Sequence, residues 1–375
     1  MRSLSSALIA VALLAGFTAT PALHAQASRD TTVTMDASAT VEVVGWSGDF
    51  TIRGVSGRTL RLRNTGDRNF EVSGDSRALR LNGSHLRGSG SVDLVLDVPR
   101  GTALLVRTQG GDINISNTGG DVEVRTTSGD INVTDAQQVF IESVSSDINL
   151  VDIADGARVN TTTGDISARN ITGNLEISGT STEVTLRDIK SRRVQVKVVS
   201  GDIAYSGALS ESGRYDFSTH SGDVELSVPR DSRATLELQS FNGDVTSRNL
   251  PLTLLPEPGA TSRAVVQTEA ADRGNRERDS IRRQIADSMR REAQRRNRDT
   301  GSFERDFERS VERLVESVMG SIGRTMESLA LQFDGLPRGG RSQRMQLGES
   351  GGPLVFVSTF SGSVTLRSNE PNDRR

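Results

Sequence analysis

Residues 126–134 read Thr126-Thr127-Ser128-Gly129-Asp130-Ile131-Asn132-Val133-Thr134. Small polar residues lead into a Gly-Asp pair, and a short run alternating apolar and polar follows. Gly supplies the positive φ of a sharp corner. The Asp beside it can hydrogen-bond turn backbone. Alternation at period two, bounded by Gly and Asp, reads as a strand with one buried face.

The same grammar recurs along the chain. An acid that follows a small residue and precedes Ile or Val stands at Asp112, Asp130, Asp147, Asp165, Glu183, Asp202, Asp223 and Asp244. The steps run from 17 to 21 residues. A nine-residue half-period also appears, at Asp112, Asp121 and Asp130 and again at Asp165, Asn174 and Glu183. A β-sandwich joins its strands by turns of mixed type and spacing. One corner repeated at a nearly fixed interval instead specifies stacked coils, each burying its apolar edge on the next. The fold class expected is all-β, a right-handed parallel β-solenoid with coils ~4.8 Å apart. An 18-residue coil with two corners has a thin interior. That explains an aromatic content of only 4% beside 37 glycines.

Working outward, Gly48-Asp49-Phe50 reads as an early corner, and Val98-Pro99-Arg100 and Val228-Pro229-Arg230 as strand ends. Phe360-Ser361-Gly362-Ser363-Val364 restores the unit 119 residues beyond Asp244 and is expected to stack on the Asp244 coil. The intervening stretch has a different composition. From Asp272 to Asp299 there are ten Arg against six acids. From Phe303 to Phe333 apolar residues recur every three or four positions, as Phe303, Phe307, Val311, Leu314 and Val318 do. That is the pattern of an amphipathic helix, so a helical hairpin is expected as an insertion near the C-terminus. Its apolar stripe, 303–333, is a candidate surface for self-association. The expected domains are 1–27 signal peptide, 28–255 solenoid, 256–340 linker and helical insertion, and 341–375 final coil and tail.

The signal peptide rests on Arg2, the apolar run Ala7 to Phe17 and the small-residue site Ala25-Gln26-Ala27. Cleavage after Ala25 is the near alternative. The run falls short of the ~20 residues a membrane span needs, and no later segment is apolar enough. The expected localisation is exported: periplasmic, cell-surface or extracellular. With no cysteine in the chain, disulfides, Cys metal sites and a lipid-bearing Cys are excluded. A net charge of −3 argues against nucleic acid as a partner of the whole chain.

No nucleophile elbow, phosphate-binding loop or dinucleotide fingerprint occurs. The three histidines, His24, His85 and His220, are isolated, and His24 leaves with the leader. Catalytic, cofactor-binding and metal-ligating residues are therefore all expected to be none. The acid column is the one local feature that calls for chemistry. Stacked carboxylates ~5 Å apart repel by about 1 kcal/mol per pair in water. Turn N–H groups, nearby Arg or calcium could offset this. The Gly-Gly-Asp spacing differs from the G-G-x-G-x-D of calcium-binding β-rolls. Turn capping is the simpler reading, and calcium stays open.

Thr126-Thr127-Ser128-Gly129-Asp130-Ile131, Val199-Ser200-Gly201-Asp202-Ile203, Ser221-Gly222-Asp223-Val224, Val228-Pro229-Arg230 and the closing Ser358-Thr359-Phe360-Ser361-Gly362-Ser363-Val364 resemble the bacterial "putative adhesin" family, β-strand-repeat domains of unknown function. The resemblance covers about Val41 to Asn249 and the last coil. It implies a right-handed parallel solenoid in or outside the envelope, with no catalytic residues to carry over. Ser363, where Asp is usual, and the insertion depart from the family pattern. The expected function is a non-enzymatic adhesin-like scaffold of the bacterial cell envelope that binds an envelope glycan or protein. Two alternatives remain: a regulatory or assembly module that binds a protein through the insertion, and a polysaccharide-acting β-helix enzyme.

Overall fold

The computed structural model describes residues 23–26, 30–36, 38–45, 47–66, 70–83, 91–255 and 341–369. The expected helical hairpin, with its stripe 303–333, lies outside the described residues, as do Trp46 and His85. The described residues are all-β, in 26 strands that form one continuous open sheet. The sheet is folded into two ladders back to back, so the fold is solenoid-like.

The first ladder stacks, in spatial order, Asp30–Thr34, Thr59–Asn64, Leu94–Pro99, Phe50–Val55, Ile113–Ser116 and the starts of Ile131–Glu142 and Ile148–Asn160. It continues through Ile166–Ile171, Val184–Arg187, Ile203–Ser206, Val224–Val228, Val364–Ser368 and Val245–Arg248. The second ladder stacks Leu23–Gln26, Glu71–Gly74, Ala78–Asn82, Thr40–Val44, Ala103–Arg107, Val122–Arg125 and the ends of the two long strands. It then runs through Asn174–Ser181, Arg193–Ser200, Arg214–Ser221, Leu354–Ser361, Ala234–Asn242, Arg341–Leu347 and Leu252–Leu254.

Alternation fixes which side chains face inward. Ile131 and Val133 from the first ladder, and Val139 and Ile141 from the second, are all buried. The polar residues between them face out. Each coil repeats that set, so the core is one slim aliphatic column between the ladders. Near Gly207–Gly213 the corner is longer, and aromatic rings fill it. Tyr205 and Tyr215 meet edge-on at 5.7 Å and Phe217 joins them. The Tyr205 hydroxyl donates to the Ala208 carbonyl, and the Tyr215 hydroxyl accepts from the Ser210 N–H. Burial pushes both phenols up, so both stay neutral.

Two features correct the sequence reading. The coils do not all stack in chain order. Residues 354–368 do pair with the Asp244 coil, but from the inside: they lie between the Asp223 coil and the Asp244 coil in both ladders. The opposite end mirrors this, because residues 40–55 lie between residues 78–99 and 103–116. The solenoid is also not purely parallel. Antiparallel strands close both ends, Thr59–Asn64 and Glu71–Gly74 at one and Arg341–Leu347 at the other.

The interleaving follows from side-chain polarity. At the inward positions of the first ladder, residues 354–368 supply Val364 and Leu366, both buried. The Asp244 coil supplies Val245, which is only partly buried, and Ser247, which is exposed. Placing the apolar coil inside buries more hydrocarbon, at roughly 25 cal/mol per Å². The polar coil then suits the end, where a solenoid needs a wettable cap. Leu366→Ala should accordingly cost about 2–5 kcal/mol in denaturant unfolding, and Ser247→Ala within about 0.5 kcal/mol.

Candidate binding face

Most coils turn into the first ladder at a Gly-Asp corner, with Ser146-Asp147, Thr182-Glu183 and Gly362-Ser363 in the same place elsewhere. Gly129 has φ of 107°, and a Cβ there would run into the Gly111 carbonyl oxygen below it. At Gly129 the positive φ and this close approach both require Gly. The Asp carboxylates bind across coils. Oδ1 of Asp112 accepts the Asp130 N–H at 3.0 Å, and the Ile113 N–H donates to the Asp130 carbonyl at 2.8 Å. Asp93 and Asp49, Asp49 and Asp112, Asp147 and Asp165, Asp202 and Asp223, and Asp223 and Ser363 repeat the carboxylate bond at 2.7–3.0 Å. The donor is therefore the neighbouring coil, where the sequence reading expected the residue's own turn. These N–H bonds answer the repulsion within the column. Among the described residues no group of three or more His, Cys, Asp or Glu could hold a metal.

The exit corner was missed from the sequence. Asn117, Asp135, Asp152, Asn170 and Asp188 all have φ of 53–58°, the left-handed region that Asn and Asp tolerate best. They stack as a second column, in which the Asn170 amide donates to the Asp152 carboxylate. The signal was present: an Asn or Asp stands four residues after each of Ile113, Ile131, Ile148, Ile166 and Val184.

The two columns frame a flat strip of four-residue strands. Its outward residues include Asn114, Asn132, Asn149, Ser167 and Thr185. The Asn side chains form a ladder, with Asn132 donating to Asn114 at 3.2 Å and Asn149 to Asn132 at 3.4 Å. Along the entry corner lies a shallow open groove of about 290 Å³. Asp130, Asp147, Asp165 and Glu183 line its rim, Asn132, Asn149, Ser167 and Thr185 its floor, and Arg187 one end. Acids outnumber cations on this strip, with Asp135, Asp152 and Asp188 along the far rim.

The second ladder's outward face is different. Its charges are largely paired: Arg107 with Glu42 at 3.3 Å, Arg125 with Glu123 at 2.8 Å, Arg158 with Glu176 at 2.7 Å and Arg344 with Glu237 at 3.6 Å. Near its end His220, Phe360 and Phe241 stack face to face at 4.8 and 4.9 Å. Rings stacked on one another use their faces internally, which suits coil-to-coil stabilisation better than ligand capture. His220 is thus part of a ring stack. The sequence offered no catalytic residues to place, and the groove arises only when coils stack.

A family model described as Toastrack DUF4097 matches residues 18–151 and 54–275. The chain belongs to that family. Toastrack DUF4097 domains are uncharacterised, so membership extends the β-repeat reading without assigning an activity. A solved structure that matches is a "putative cell adhesion protein from Clostridium sporogenes ATCC 15579", 7% identical, with 91% of this chain and 99% of that chain covered. Its TM-score of 0.20 is too low to inform the fold. No curated protein matches the chain.

Two measurements test the electrostatics of this Toastrack chain. Asp147→Ala removes the acceptor for the Asp165 N–H and should cost about 1–2 kcal/mol. Asp147→Asn keeps an acceptor oxygen and should cost less. Chelator should leave both transitions unmoved in thermal unfolding. The second concerns pH. On the second ladder, burial pushes the Asp216 carboxyl up against the opposing pull of Lys197 and Arg214. Burial and the Asp155 carboxylate push Asp121 up as well, offset in part by a backbone hydrogen bond with Gln138. A raised acid holds its proton in the folded state after the unfolded chain has lost it, so stability declines as pH rises through the folded pKa. Unfolding titrations should show that decline just above the ordinary carboxylate range, and Asp216→Asn should remove part of it.

Proposed function

We propose that this chain is an exported, non-enzymatic, adhesin-like scaffold of the bacterial cell envelope, and that its first-ladder face is the contact surface. The observation carrying this reading is the open polar groove between Asp130 and Arg187, set on a rigid strip of repeated Asn, Ser and Thr side chains. A flat array of amides and hydroxyls suits many weak hydrogen bonds to a glycan or a polar protein surface, each a modest contribution that adds through repetition. The coil is right-handed, as parallel crossovers between packed ladders nearly always are.

Export follows from the leader reading of residues 1–27. Among the described residues no helix is long and apolar enough to cross a membrane. Cleavage after Ala27 or after Ala25 would remove all or most of the strand Leu23–Gln26, leaving Glu71–Gly74 as the second ladder's edge. Mass spectrometry of the exported protein should therefore find an N-terminus at Ser28 or Gln26. A retained Met1 would remove the export step.

The binding surface is tested with the mature chain on a glycan array and on isolated envelope. Ser167→Arg would place a long cation on the groove floor. It should weaken binding about tenfold, or about 1.4 kcal/mol, while a matched change on the second ladder, Gln195→Arg, should not. Equal losses from both, or from neither, would move the contact surface elsewhere. Product release from any array glycan would replace the scaffold with an enzyme.

A further inference from the structure

The interleaved C-terminal coil creates a slot, and we propose that a second copy of this chain can fill that slot with its own residues 354–368. The slot's two walls are the Asp223 coil and the Asp244 coil. Both meet the wedge in one register: Ser221 and Asn242 pair with Ser361, and Val224 and Val245 pair with Val364. Both also offer the same seats. A Cβ at Gly362 would run into the Gly222 carbonyl oxygen, and a Cβ at Gly243 into that of Gly362. The Thr359 hydroxyl donates to the Gly222 carbonyl at 3.1 Å, as the Ser240 hydroxyl does to that of Gly362. The Asp223 carboxylate grips the Ser363 N–H at 2.7 Å.

None of these contacts depends on which chain supplies the wedge. Exchange of an identical element is a low-cost route to a dimer, because every native contact is kept. Connectivity favours the competition. The Asp244 coil lies only 21 residues after Asp223. The wedge and the strand Arg341–Leu347 that leads into it travel together, and that pair follows a connection of 86 residues between Leu254 and Arg341. Loop-closure entropy lowers the local concentration of a segment tethered that far away. The connection is also long enough, at up to ~3.4 Å per residue, to reach a neighbouring molecule. During folding, a wedge from another copy therefore competes with the chain's own.

The absence of native cysteine makes the test clean. Ser221 and Ser361 are exposed and directly registered, at the ~5 Å spacing of neighbouring strands that a disulfide can bridge. Full-length mature chains carrying Ser221→Cys are mixed in denaturant with chains carrying Ser361→Cys, refolded over a range of concentrations, oxidised, and separated without reductant. The expected result is a mixed disulfide dimer several-fold more abundant than either homodimer, rising with protein concentration and absent when the variants are folded before mixing. The double variant Ser221→Cys/Ser361→Cys, refolded dilute, should crosslink within one chain. An internal crosslink in the double variant with no mixed dimer at any concentration would overturn the proposal. So would homodimers as abundant as the mixed pair, or a double variant that forms no internal bond.

Discussion

The structure depends on a clamp between successive coils. At a corner, one Asp carboxylate accepts the next coil's Asp N–H, and the residue after that Asp donates to the same neighbour's carbonyl. Two bonds hold one residue, and they do so at the point where the chain turns and the sheet ladder would otherwise lose pairing. A hydrogen bond to a charged acceptor contributes up to about 1.5–3 kcal/mol, and less at an exposed corner such as this. The clamp therefore both satisfies the corner and fixes its register. With register fixed, Ile, Val and Leu fall inward in most coils, and larger rings enter the column at Phe50 and where Tyr205, Tyr215 and Phe217 fill the longer corner.

From that constraint the asymmetry between the two faces follows. Entry-corner carboxylates are engaged by backbone N–H groups, while on the far rim Asp135 pairs with Arg100 at 2.9 Å and Asp152 with the Asn170 amide. On the second ladder's outward face charges are settled by pairing, as Arg158 and Glu176 do at 2.7 Å.

The ends obey a second constraint, the polarity of the available coils. A repeat stack must stop, and an apolar end would invite further stacking. Here the coil with Ser247 and a half-buried Val245 is outermost, and the coil with Val364 and Leu366 is drawn in beneath it. Antiparallel strands then cover the second ladder, with Arg341–Leu347 along Ala234–Asn242. Chain order gives way to burial, and a long connection absorbs the difference.

The repeat spacing and the strand alternation were legible in the residues alone, because both are local: period two sets burial, and Gly beside Asp sets the corner. The exit column of Asn117, Asp135, Asp152, Asn170 and Asp188 was equally local, and its regular place four residues after an inward Ile or Val would have revealed it. Three things only the tertiary structure decided. The Asp carboxylates reach across coils, since their partner N–H groups lie between 18 and 140 residues away and become neighbours only on stacking. Residues 354–368 enter between the Asp223 and Asp244 coils, since the choice among similar coils rests on which buries more hydrocarbon. The groove from Asp130 to Arg187 exists only because Asp, Asn, Ser and Thr residues from successive coils come into line. A linear pattern names the pieces of a repeat, but the order in which like pieces stack is settled by their packing energies.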